Sequence, residues 1–211
     1  EDPFPEWNVW GGDKTRKLKE GTGFFSTCKT PDGRWHLTDP EGCDYFSLGP
    51  CGTRAGEWGR IDSFENCCEW LPEEDAQYAE FFEEGSRRRT AYMPGELYRM
   101  ANFSGMNLKK IYGDDWKEKW EEISCHILMN NGINSQGNFP GIAVNNGRSK
   151  MAYVRELPDF PVTDTLIFRD FPDVLSPEYE EKSRIYAEKM EEWKHDPWLI
   201  GYLLRNETEI N

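Results

Sequence analysis

The sequence predicts an α/β fold: an antiparallel β meander followed by strands that alternate with helices. Three observations carry it. Residues 22–50 place two tight-turn signals between short β-prone runs. Beyond residue 100, segments of helical period carry recognisable start and stop residues. The later apolar runs, "TLIF" and "LIGYLL", suit strands buried on both faces. Alternation of strand and helix implies parallel strands joined by right-handed crossovers. Such an order fits half of a (β/α)8 barrel or an open sheet.

The elements follow in chain order. Residues 1–21 mix Pro, Gly and charge without a period and read as an extended lead-in, with Trp7 and Trp10 clamping it to the body. Pro31-Asp32-Gly33 and Asp39-Pro40-Glu41-Gly42 are turn signals, because Pro presets one backbone angle and Gly takes the positive one. They separate the strands of the meander, the last of which runs from Tyr45 to Leu48 into the loop Gly49-Pro50-Cys51-Gly52. Residues 53–100 are loop-rich, with a helix expected from Glu73 to Glu84. Asn102 can cap a helix that Gly113 stops. Asp114 can cap the next, whose buried stripe is Trp116, Trp120, Ile123 and Ile127. "INSQGNF" and residues 163–170 read as strands, with no helix legible between them. Ser176-Pro177 opens a long helix that buries Tyr179, Tyr186, Met190 and Trp193. "WLIGYLLRN" is the last strand. Residues 45–49, 133–137, 164–169 and 199–205 should then be adjacent parallel strands in that order.

Composition narrows the function. The chain of 211 residues is 37% hydrophobic, with nine Trp, nine Tyr and twelve Phe, enough for a core and for aromatic ligand contacts. A net charge of −14 repels phosphate backbones, so nucleic acid is not an expected partner. Arg87-Arg88-Arg89 reads as a solvated run. No apolar run reaches the roughly 20 residues that span a bilayer, so no membrane partner is expected. No signal peptide is legible. The six cysteines form no CxxC pair, and with three histidines a zinc site has little support. They read as free thiols, with a disulfide or two open if the protein is exported. No GxGxxG or GxxxxGK[ST] follows a strand, and no Ser or Cys is spaced to pair with a histidine as a hydrolytic triad. No cofactor and no metal are expected.

Several segments taken in order resemble a known group: "TGFF", "DGRWHLTDPEGCDYFSLG", "NNGINSQGNF", "FPDVLSPEY" and "DPWLIGYLLRNE". The set is similar to agarase-like members of the clan-A glycoside hydrolases and spans residues 22 to 207. The resemblance implies a partial (β/α)8 TIM barrel, strands 1–4, preceded by the antiparallel β meander. Residues 1–44 would be the lead-in and meander packed on the barrel, and 45–211 the first half of the catalytic domain. It also implies retaining chemistry on a β-linked polysaccharide or oligosaccharide, and a secreted or periplasmic location. The general acid/base of the family is a Glu after an Asn at the end of the fourth strand, which Asn206-Glu207 match. The nucleophile is a Glu of the seventh strand, which this chain does not contain. The carbohydrate substrate and the remaining half of the barrel, in the same or another chain, are the expected partners.

Two carboxyl groups must flank a glycosidic bond, roughly 5–5.5 Å apart in retaining enzymes. Glu207 suits the proton shuttle, since burial near a second carboxylate raises its pKa. Asn206 can hydrogen-bond a sugar hydroxyl beside the reacting carbon. Glu209 reads as loop charge. Asn138 and Asp170, after the second and third expected strands, are candidates for substrate binding, as are Arg54 and Trp58 after the first. Each has a plain alternative: loop capping for Asn138, packing for Trp58, a surface contact for Glu207. Asn206-Glu207-Thr208 and Asn102-Phe103-Ser104 also spell N-glycosylation acceptors. A non-catalytic carbohydrate-binding or scaffold half-barrel, and an open α/β domain with an unrelated ligand, remain the competing readings.

Overall fold

The computed structural model describes residues 4–53, 56, 58–62, 67–69, 71–72, 75–86, 97–138, 150–157, 161–168 and 171–204. In chain order the first strands are β1 Asp13–Lys17, β2 Ser26–Lys29, β3 Trp35–Thr38, β4 Cys43–Tyr45 and β5 Gly59–Arg60. A 3-10 turn Ala76–Phe81 leads into β6 Phe82–Ser86, followed by β7 Leu97–Ala101. Helices α1 Phe103–Tyr112 and α2 Trp116–Asn130 precede β8 Ser135–Gln136 and β9 Ala152–Glu156. The short strands β10 Leu166–Phe168 and β11 Phe171–Pro172, helix α3 Pro177–Lys189 and strand β12 Leu199–Leu203 complete the order. The chain forms two compact units, Glu1–Thr53 with Cys125–Asn211, and Arg54–Ser124.

In the first unit β1 to β4 form an antiparallel sheet in the order β1-β4-β3-β2. Both expected turns are present, with Gly33 at φ 85° and Gly42 at φ 88°. The second is pinned by Asp39, whose Oδ1 accepts from the Glu41 and Cys43 N–H groups at 2.9 Å each. Asp39 is fully buried, and its other oxygen accepts from the Asn8 side-chain amide. The lead-in contributes β1, and Trp10 packs on Trp198 with ring centroids 4.2 Å apart. The other two sheets of this unit are parallel β12-β9-β8 and the antiparallel pair β10-β11.

The second unit is an antiparallel sheet β5-β7-β6 backed by helix. Its core is Ile61, Phe81, Ala101, Met106 and Trp116. Asn102 caps α1 as expected, its side chain accepting from Gly105 N at 2.7 Å, and Gly113 ends the helix at φ 65°. Gly105 is required there, because a Cβ would lie 2.6 Å from Phe81 Cε1.

Among the described residues the expected partial (β/α)8 TIM barrel is not formed. The described residues make four small sheets, three of them antiparallel, with few helices. Residues 164–169 supply β10, which pairs antiparallel with β11 and leaves Ile167 62% exposed. Residues 43–45 pair antiparallel with β1 and β3. The middle strand of the parallel sheet is β9, where no strand was expected. An apolar run states only that a segment is apolar; whether it lies inside a sheet or folds back as a hairpin depends on tertiary partners. The helix expected at 73–84 is a short 3-10 turn running into β6. The buried face of α2 also differs: Trp116, Glu121 and Cys125 are buried, whereas Ile127 is 57% exposed.

Candidate functional site

The C-terminal ends of the parallel strands are where an open α/β sheet offers a ligand its crevice. Along β8 and its flanks the chain 134–138 lies against 48–52. Leu48 O accepts from Asn134 N at 3.1 Å, Pro50 O accepts from Gly137 N at 2.8 Å, and Gly52 N donates to Asn138 O at 2.9 Å. Gly137 allows this approach, since a Cβ would meet Cys51 Sγ at 2.9 Å.

Two polar side chains stand out at this end. Gln136 is fully buried, and its Oε1 accepts from Thr53 Oγ1 at 2.7 Å. Its Nε2 has no hydrogen-bond acceptor, and Asn138 Oδ1, also buried, has no donor, among the described residues. A buried amide group without a partner costs about 1–3 kcal/mol. One orphaned donor and one orphaned acceptor two residues apart can meet the hydroxyls of a polar neutral ligand, each of which both donates and accepts.

A second cluster sits on β9 and β12. The Arg155 guanidinium lies 3.8 Å from the centroid of the Trp193 ring, a cation–π contact. Tyr202 is its register partner on β12. Tyr153 donates its hydroxyl to Asp196 Oδ2 at 2.7 Å. Burial, helped by that bond to a carboxylate, pushes the Tyr153 phenol well above its ordinary pKa, and burial raises Tyr202 as well. Neither phenol is poised to give up a proton near neutrality. These groups hold α3 and the following loop against the sheet.

Of the sequence-predicted residues, Glu207, Asn206, Asp170 and Arg54 lie outside the described residues. Asn206 follows the end of β12, Leu203, along the chain. Asn138 is at the end of β8, while Trp58 is half-buried ahead of β5 in the second unit. Nothing in the sequence marks Gln136, because its distinction is burial without a partner. No group of three or more His, Cys, Asp or Glu that could hold a metal occurs among the described residues, and all six cysteines are free.

No family model matches the chain. It is 26% identical to Beta-agarase B of Vibrio sp. (strain JT0107), over 97% of this chain and 24% of that protein. The solved structure of PfGH50B is 26% identical and superposes with a TM-score of 0.69, over 95% of this chain and 32% of that one. The similarity is to agarases. An exo-β-agarase structure shares the fold at TM-score 0.73 and 23% identity, covering 98% of this chain and 34% of that one. The chain therefore spans about a quarter of the length of the curated agarase and a third of each of these structures. Sequence and fold together are agarase-like.

Proposed function

We propose that the chain is part of a retaining glycoside hydrolase that cleaves a β-linked galactan of the agarose type. The similarity to Beta-agarase B along 97% of the chain carries the reading. Glu207 is the general acid/base. It gives its proton to the glycosidic oxygen as that bond breaks and a second carboxylate bonds the anomeric carbon. A water then returns a proton to Glu207 while its oxygen displaces the carboxylate. Asn206 hydrogen-bonds the hydroxyl beside the reacting carbon. The nucleophilic carboxylate belongs to polypeptide beyond residues 1–211, matching the agarase length that this chain does not span.

Asn138 and Gln136 contribute to substrate binding through their unpartnered amide atoms. Asp170, Arg54 and Trp58 are further candidates for the same cleft. A polymeric substrate places the enzyme outside the cytoplasm, secreted or periplasmic. The remaining agarase-like polypeptide is also the partner of this chain. The exposed apolar side chains Leu166, Ile167, Phe168 and Leu175 support that, because apolar patches of this kind on a soluble protein are usually covered.

The test is reducing-sugar release from agarose by the protein carrying its full agarase-like length, with and without Glu207→Gln. Loss of hydrolysis with retained oligosaccharide binding is expected. Binding without hydrolysis by the unaltered protein would instead favour a non-catalytic carbohydrate-binding role.

A further inference from the structure

A cavity of about 200 Å³ opens on the first unit, lined by Trp7, Asp13, Arg16, Asp44, Phe46 and Asn134 among others. It sits at the start of β8, since Asn134 directly precedes that strand. The orphaned Gln136 and Asn138 amides are at the strand's other end.

Three features of the cavity are chemical. Phe46 is 81% exposed, an uncommon position for a phenylalanine. Trp7 is held in place by Phe4, with the rings stacked at 4.5 Å and 17°. Arg16 is fixed by one contact, Nη1 to Asp44 Oδ2 at 2.7 Å, while Asp44 Oδ1 holds His36 Nδ1 at 3.0 Å. The other N–H groups of Arg16, which is more than half exposed, bond nothing among the described residues. The result is a pre-positioned planar donor beside two aromatic side chains.

Charge selects the ligand. Asp13 and Asp44 line the cavity, and the chain carries a net charge of −14, so an anion is disfavoured. A large apolar ligand is equally unsuited, because the acid and guanidinium groups would lose their water. A neutral ring with an apolar face and hydroxyl edges satisfies both constraints: its C–H face covers an aromatic, and its hydroxyls meet Arg16 and the carboxylates. The volume is below the roughly 300–1,000 Å³ of a drug-sized site, so it takes a ring and not an extended chain.

We propose that this cavity is a second saccharide-binding site, separate from the strand ends, that takes one neutral pyranose ring of the substrate polymer. Such a site would hold the polymer while another part of it is cleaved. The galactan identity rests on the agarase-like reading above; the site itself rests on the cavity.

The experiment is a ¹H–¹⁵N NMR titration of the chain with a neutral agarose tetrasaccharide and, separately, with cellotetraose. Shifts are expected for the Trp7 indole and for the Gly11, Phe46 and Gly132 amides with the agarose probe. Phe46→Ala, an exposed side chain, should weaken that binding about tenfold or more, and Arg16→Met should do likewise, with the other signals unmoved. Shifts confined to Gly52, Gly137 and Asn138 would overturn the cavity site and leave the agarase reading standing. Cavity shifts with cellotetraose alone would keep the site and overturn the galactan. No cavity shift with either sugar, at millimolar concentration, would overturn the proposal.

Discussion

Asn134 and Leu48 exchange two hydrogen bonds: the Leu48 N–H donates to Asn134 Oδ1 at 2.9 Å, and Leu48 O accepts from Asn134 N at 3.1 Å. The same side chain donates Nδ2 to Gly11 O and to Phe46 O at 3.0 Å each. One buried amide thus joins the lead-in, the exit of the meander and the start of β8. Few side chains could do this, because the job needs one acceptor and two donors in a plane.

Gly11 is tied to that amide by space. Its φ is 83°, and a Cβ there would lie 2.6 Å from Asn134 Cβ. Gly11→Ala should therefore destabilise more than Gly23→Ala, where φ is 79° but nothing lies within 4 Å. The second change should cost about 1 kcal/mol from backbone strain alone. Asn134→Ala should cost about 1–3 kcal/mol by orphaning buried backbone groups. Urea unfolding of the three variants checks the ranking.

Among the described residues, Tyr45, Tyr153 and Tyr202 have phenols raised chiefly by burial. A folded pKa above the unfolded value of about 10 means stability is intact below pH 10. As pH rises past 10 the unfolded chain loses these protons while the folded one keeps them, so stability falls. Absorbance titration should show late-ionising tyrosines that become normal in urea, and alkaline unfolding should set in above about pH 10. Tyr45→Phe, which removes a 2.9 Å bond to Asn134 O, should reduce the late-ionising fraction.

Local backbone chemistry was legible in the sequence. The turns at Gly33 and Gly42, the Asn102 cap and the Ser176 cap, whose Oγ accepts from Tyr179 N at 3.1 Å, each depend on residues a few positions apart. Partner choice was not. "TLIF" is as apolar as a buried barrel strand, yet its β10 residues find β11 next door. "AYVRE" carries Arg155 and Glu156 and looks unlike a middle strand, but Arg155 lies over Trp193 and so tolerates the position. The similarity to agarases was legible as an ordered set of segments. Gln136 was not, because a polar residue in a strand says nothing of its burial.

Phe81 is 1% exposed and packs on Trp116 at 5.1 Å between ring centroids. Phe81→Ala should cost about 3–5 kcal/mol by opening the core of the second unit. Native-state hydrogen exchange should show that loss first in β6, β7 and α1. Equal loss of protection in β2 and β3 would mean the two units do not unfold separately.

Gln136 separates a structural role from a substrate role. Gln136→Met keeps volume and removes the orphaned donor together with the acceptor for Thr53. Stability should change by less than about 1.5 kcal/mol, since one ordinary hydrogen bond is lost and one unpaired group is removed. If the amide meets a substrate hydroxyl, KM for agarose oligosaccharides should rise about tenfold with kcat little changed. An unaltered KM would confine Gln136 to packing.

Glu207 gives the decisive measurement. A general acid contributes roughly 10²–10⁴-fold when the leaving group needs a proton. In the protein of full agarase-like length, Glu207→Gln should lower turnover of agarose by that factor and leave KM nearly unchanged. An activated aryl glycoside needs little protonation to depart, so its first step should be spared. Turnover of the intermediate still needs a base to activate water, so the aryl substrate should show a burst followed by a slow phase. Added azide, a nucleophile that needs no base, should then restore the slow phase for Glu207→Gln and not for the unaltered enzyme. If the variant hydrolyses agarose at the original rate, the acid/base is another carboxylate and the Asn206-Glu207 pair has no part in the reaction.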